Sequence, residues 1–127
     1  MKKVYSIFLK NIKIGTTFLE KADAPMGVVF GEITFLSDHF GYDYFKKFCN
    51  EHAIELVCDD PEEKFLDTST IKNLIVKSEE NTEIIGIGNQ ITGSDQLAFE
   101  ISIYGISYPF YEEEFSHHVK AYHEQFK

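Results

Sequence analysis

Hydrophobic and polar positions alternate from Lys3 to Leu9, with Tyr5, Ile7 and Leu9 on one side and Val4, Ser6 and Phe8 on the other. Asn11 interrupts the alternation before Ile12 and Ile14, which predicts a strand turning into a short second strand. Thr16 and Thr17 precede Phe18-Leu19-Glu20-Lys21-Ala22, and Glu20 stands at the capping-box distance from Thr17, so a single helical turn is predicted there. Asp23-Ala24-Pro25 reads as a turn, because proline fixes its own φ and pushes the preceding residue out of the helical region. Met26 to Phe35 follows as a half-buried antiparallel strand, with Val29, Gly31, Ile33 and Phe35 opposite Glu32 and Thr34.

Periodicity then changes. From His39 to Ala53, Phe40, Tyr44, Phe45, Phe48 and Cys49 recur at spacings of three to four, which predicts a helix capped by Ser37 or Asp38, with Asp43, Lys46, Lys47 and Glu51 on its polar face. Ile54 to Cys58 reads as a short strand and Asp59-Asp60-Pro61-Glu62-Glu63 as an acidic turn. Phe65 to Val76 reads as a strand plus a loop. Leu74–Lys77, Ile84–Ile91 and Leu97–Ile106 form a predicted β-meander, joined by the polar clusters Ser78-Glu79-Glu80-Asn81 and Thr92-Gly93-Ser94-Asp95. Leu97, Phe99, Ile101 and Ile103 share one face of its last strand. Pro109 fits the first turn of a C-terminal helix that turns Phe115, His118, Val119, Tyr122 and Phe126 toward the sheet. The predicted fold class is α+β, one antiparallel sheet with two amphipathic helices packed on it, in a single domain over residues 1–127.

The composition supports a packed domain. Of 127 residues 43% are hydrophobic and 26% charged, and 12 Phe and 7 Tyr predict a core built largely of rings. No segment is apolar for the roughly 18 residues that a membrane span needs, so a cytoplasmic location and no membrane partner are expected. The formal net charge of −9 disfavours nucleic acid as a direct partner, because polyanions are bound through Lys and Arg clusters. A basic protein is the better electrostatic match.

Catalytic motifs are few and incomplete. Gly86-Ile87-Gly88 lacks the third glycine and the helix start of a dinucleotide loop. Glu113 with His117, and Glu114 with His118, are four apart on the predicted helix, but a zinc or iron site needs three or four convergent ligands. Cys49 and His52 are three apart, without an orienting carboxylate or an oxyanion hole. No catalytic residue, metal or cofactor is expected. What remains is the acidic turn of Asp59, Asp60, Glu62 and Glu63 and the run Glu112, Glu113, Glu114, near which lie Tyr108 and Tyr111. Exposed tyrosines beside acids are the mixture that anchors protein interfaces, so these nine residues form the candidate partner-binding surface.

Ile14-Gly15 through Leu19-Glu20, then Asp23, Pro25-Met26-Gly27-Val28 and Gly31, resembles a pattern found in small bacterial immunity proteins of polymorphic toxin systems, of the contact-dependent growth inhibition and Maf types. The resemblance covers about the first third of the chain and transfers no catalytic residue. It implies a non-catalytic antitoxin that binds and neutralises a cognate toxin domain, one often a nuclease with a basic cleft. A small enzyme or ligand-binding domain with a pocket lined by Phe and Tyr is the alternative from another class, and a purely structural subunit is a third.

Overall fold

The computed structural model describes residues 2–126. β1 (Tyr5–Leu9) and β2 (Ile12–Thr17) form the predicted hairpin, turning through Lys10 and Asn11 at φ 50° and 70°. No helical turn follows. The Thr17 hydroxyl accepts the Leu19 N–H at 3.2 Å, the Glu20 carboxylate accepts the Glu32 N–H at 2.8 Å, and Lys21–Asp23 is a short strand, β3. The would-be capping residues are thus spent on a sharp bend that joins two sheets. Ala24–Met26 is one turn of 3₁₀ helix, closed by Gly27 at φ 67°, in agreement with the turn predicted around Pro25.

The predicted strand Met26–Phe35 is divided at Ile33. β4 (Val28–Glu32) pairs with β3 and with β10 (Phe99–Tyr104), whereas β5 (Thr34–Phe35) pairs with β2. The Ile33 N–H donates to the Phe99 carbonyl at 2.8 Å and the Leu36 N–H to the Ile14 carbonyl at 3.0 Å, so one continuous segment serves two sheets. The architecture is accordingly α+β, with two antiparallel sheets rather than the single one expected, packed about one cluster of buried side chains. One sheet runs β5-β2-β1-β8, with β8 at Leu74–Ser78. The other runs β3-β4-β10-β9-β7-β6, with β6 at Leu56–Asp60, β7 at Phe65–Thr68 and β9 at Gly88–Ser94.

The predicted meander breaks between its first two strands. β8 pairs with β1, and after the turn at Ser78–Asn81 the chain folds back only far enough for the Ile84 N–H to reach the Val76 carbonyl at 2.8 Å. It then departs past Gly86 to begin β9 at Gly88 in the other sheet. Ile85 and Ile87 are exposed in that passage, and Leu97 sits in the β9–β10 turn at 90% exposure rather than on the buried face of Phe99, Ile101 and Ile103.

α1 (Tyr42–Glu51) starts three residues later than predicted, and neither Ser37 nor Asp38 caps it. The cap comes from the β9–β10 turn: Asp95 Oδ1 accepts the Tyr42 N–H at 2.8 Å. Phe45, Phe48 and Cys49 are buried as expected, and Tyr42 joins them, while Phe40 and Tyr44 are half-buried. Phe45 meets Phe35 and Phe99 with ring centroids 5.8 and 5.6 Å apart. The C-terminal helix is two pieces, α2 (Phe110–Glu114) and α3 (Ser116–Glu124), separated at Phe115, whose ring is buried against Tyr5 at 5.8 Å. Val119 is buried too, but Phe126 lies exposed where the helix has left the sheet. No described helix is long and apolar enough to cross a membrane.

Phe45→Ala and Phe115→Ala should each cost about 3–5 kcal/mol in chemical denaturation, and Leu97→Ala less than about 0.5 kcal/mol. Equal losses at the three positions would mean that the buried faces are misassigned.

Candidate functional site

The acidic turn begins inside a strand, since Asp59 and Asp60 are the last residues of β6 and only Pro61–Lys64 turns. Asp59 is held from α1. The Tyr42 hydroxyl donates to its Oδ1 and the Lys46 ammonium stands 3.1 Å from its Oδ2, which together hold the carboxyl below its ordinary value. Lys46 and Lys64 also flank the Tyr42 ring, 5.5 and 5.4 Å from its centroid. Burial, and then the bond to Asp59, push the Tyr42 phenol up. The charge of Asp59 is therefore neutralised locally and ties β6 to α1.

Its neighbours differ. Asp60 Oδ1 accepts the Glu63 N–H at 3.3 Å and closes the turn, yet among the described residues Asp60, Glu62 and Glu63 form no ion pair and are exposed. At the end of the turn, Lys64 reaches Asp43 Oδ1 at 3.5 Å and its carbonyl accepts the Asp95 N–H at 3.2 Å. The acidic turn, the β9–β10 turn and the start of α1 are thereby stitched into one end of the molecule.

A cleft of about 560 Å³ opens at that end, walled by Phe35, Phe40 and Tyr44 and edged by Asp38, Asp43 and Asp95. Phe40 and Tyr44 hold each other edge to face, centroids 4.9 Å apart. Sequence reasoning missed this cleft, because Asp38 and Asp43 looked like helix-end and polar-face residues and Asp95 like turn filler. The available signal was the Gly41 at the helix start, which carries no capping side chain and so requires an acceptor from elsewhere.

The second acidic cluster is arranged otherwise. Glu112 and Glu113 are exposed, but Glu114 accepts the Tyr5 hydroxyl at 2.7 Å and pairs with Lys3 at 3.3 Å. Tyr111 is a correction: it is fully buried, its hydroxyl donates to the Val28 carbonyl at 2.9 Å, and burial pushes its phenol up, so it is a core residue and no surface anchor. Tyr108 stacks on it at 5.2 Å, donates to the Ala24 carbonyl at 2.8 Å and remains half-exposed. α2 contacts β4 on one side of the six-stranded sheet, whereas the acidic turn extends β6 at the opposite edge. Four interstrand steps of about 4.8 Å put about 19 Å between β4 and β6. The nine candidate residues do not form one surface.

The remaining chemistry is dispersed. His52 donates from Nδ1 to the Phe48 carbonyl at 2.9 Å and accepts from Lys10 at 3.3 Å, so neither nitrogen addresses Cys49. His118 donates to the Leu19 carbonyl at 2.8 Å. Among the described residues no three His, Cys, Asp or Glu side chains gather as a metal requires. No family model, curated protein or solved structure matches this chain.

Burial raises the Cys49 thiol to about 11, while Cys58 is exposed on β6. Native titration with a thiol reagent at neutral pH should therefore modify Cys58 at once and Cys49 only on unfolding. The lowered Asp59 carboxyl gives a second expectation. Its stabilisation is complete above the ordinary value of 3.8 and is lost as pH falls through the lower folded value, so Asp59→Asn should lower the urea midpoint near neutrality and lose that penalty toward pH 2. A gap independent of pH would contradict the pairing.

Proposed function

We propose that this chain is an immunity protein that binds and neutralises a cognate basic toxin domain, a nuclease in the fullest form of the reading, through the end that carries the acidic turn. The observation that carries it is the contrast within five residues: Asp59 is neutralised by Lys46 and Tyr42, while Asp60, Glu62 and Glu63 stand exposed and, among the described residues, unpaired, beside a further rim of Asp38, Asp43 and Asp95. Unpaired carboxylates gathered at one end create a field that captures a basic partner quickly and rejects polyanions. They can stand where the phosphates of a nucleic acid would lie in such a partner's cleft.

The toxin class comes from the resemblance of the Ile14–Gly31 segment to immunity proteins. The reading places the chain in the cytoplasm, where a toxin would act, and asks it for no catalysis and no cofactor. A ligand-binding domain is the second reading, favoured by the aromatic walls of the 560 Å³ cleft, a volume within the usual range of about 300–1,000 Å³ for small-molecule sites.

Co-purification with the product of the neighbouring reading frame tests the first reading, and failure to co-purify with any such product would favour the second. Once a complex is in hand, Glu62→Lys with Glu63→Lys should slow association about tenfold at low salt, and the difference should shrink as salt screens the field. Glu112→Lys with Glu113→Lys, at the far edge, should change association less than about twofold. Surface plasmon resonance at two salt concentrations reads both, and the reverse ranking would move the interface to α2.

A further inference from the structure

We infer that the cleft at the start of α1 receives a guanidinium or ammonium side chain of the protein partner, held by the Asp95 carboxylate against the aromatic wall. The inference rests on the immunity reading for the identity of the partner and on the cleft's own geometry for the chemistry of the ligand.

Asp95 is half used. Its Oδ1 accepts the Tyr42 N–H at 2.8 Å, whereas its Oδ2 has no hydrogen-bond donor among the described residues. The Asp95 main chain is held as well, because its own N–H donates to the Lys64 carbonyl at 3.2 Å. A positioned acceptor with one oxygen free is suited to a charge-assisted hydrogen bond, and the two-oxygen geometry of a carboxylate favours arginine.

The groups around it have the sign and shape to complete such a site. Asp38 and Asp43 line the same cleft; among the described residues Asp38 forms no ion pair, and Asp43 pairs only with Lys64, at 3.5 Å, with most of its side chain in solvent. Three carboxylates thus face one lysine, Lys64, and His39, Tyr42 and Tyr44 are the other titratable groups lining the cleft. The positive end of α1 opposes a cation, but its first N–H is already satisfied by Asp95, and the two further carboxylates outweigh what remains of the helix field. Phe35, Phe40 and Tyr44 supply ring surface against which a weakly hydrated planar cation packs favourably.

The molecule also contains its own control. A second hollow, of about 430 Å³, is lined by Lys2, Lys3, Phe18, Glu20 and His117; Lys3 is paired with Glu114, and with a single carboxylate on its wall the hollow should bind the same ligand more weakly.

The test uses the folded, isotope-labelled protein and three capped tripeptides: Gly-Arg-Gly, its neutral citrulline counterpart, and Gly-Glu-Gly. Amide shifts at Tyr42, Tyr44 and Asp95 should saturate with the arginine peptide at a dissociation constant on the order of millimolar, and stay near baseline with the other two. Asp95→Asn keeps an oxygen for the Tyr42 N–H, so the helix cap survives, and it should weaken the arginine peptide about fivefold or more. Asp43→Asn, a change at an exposed side chain, should weaken it in the same direction without touching the cap. Equal shifts with citrulline, shifts confined to the Lys3–His117 hollow, or no saturation would overturn the inference. A partner that co-purifies and binds Asp95→Asn and Asp43→Asn as tightly as the parent would also overturn it and leave the immunity reading standing. Arginine-peptide binding without any co-purifying partner would leave the cation site standing and remove the immunity reading.

Discussion

The shortest passage of the chain between the two sheets is a single residue. Ile33 leaves β4 with its N–H on Phe99 and hands the chain to β5, whose first residue, Thr34, already pairs with β2. Such a corner brings backbones closer than side chains allow. A Cβ on Gly15 would stand 2.5 Å from the Thr34 carbonyl oxygen, and one on Gly31 would stand 2.9 Å from the Leu19 Cα. Gly15 and Gly31 are therefore demanded by the crossing. So are Thr17 and Glu20, whose oxygens take the N–H groups that the bend leaves free. The position of Phe35 follows from the crossing, and Phe35 with Phe99 and Phe45 fixes where α1 lies. The cleft at the start of α1 is thus a consequence of how the sheets are joined.

Two of the acids are bound into the frame. Glu114 and Asp59 are each held by a lysine and a tyrosine hydroxyl, and both tie a helix to a strand of the frame. Asp60, Glu62 and Glu63 have no such duty. Exposed acids also stand elsewhere, at Glu79, Glu80, Glu83, Glu112 and Glu113, but at this end the carboxylates of the turn continue into those of the cleft, and the Lys64 backbone joins the two. That continuity gives the binding reading its physical content.

Elements whose pattern depends on local sequence were legible in advance: the β1–β2 hairpin, the turn at Pro25, the buried alternation of Phe99, Ile101 and Ile103, and the apolar stripe of α1. What depends on partners distant in sequence was not. Alternation of side chains is the same in one sheet as in two, so nothing along Met26–Phe35 marks the change of partner at Ile33. Asp95 caps a helix that lies 53 residues earlier, a relation no spacing rule reaches. Tyr111 looked like an anchor because acids follow it, yet its ring fills the space between β4 and Phe115, and polarity of neighbours in sequence says little about burial. Of the candidate site, the acidic turn was readable and its aromatic and carboxylate companions were not.

Amide hydrogen exchange of the protein alone and with its co-purified partner addresses the binding surface most directly. Protection should rise together in three segments that are distant in sequence and adjacent in space: residues 36–44, residues 59–64 and residues 93–97. Protection confined to residues 108–124, or unchanged in all three segments, would contradict the assignment of the acidic end as the docking face.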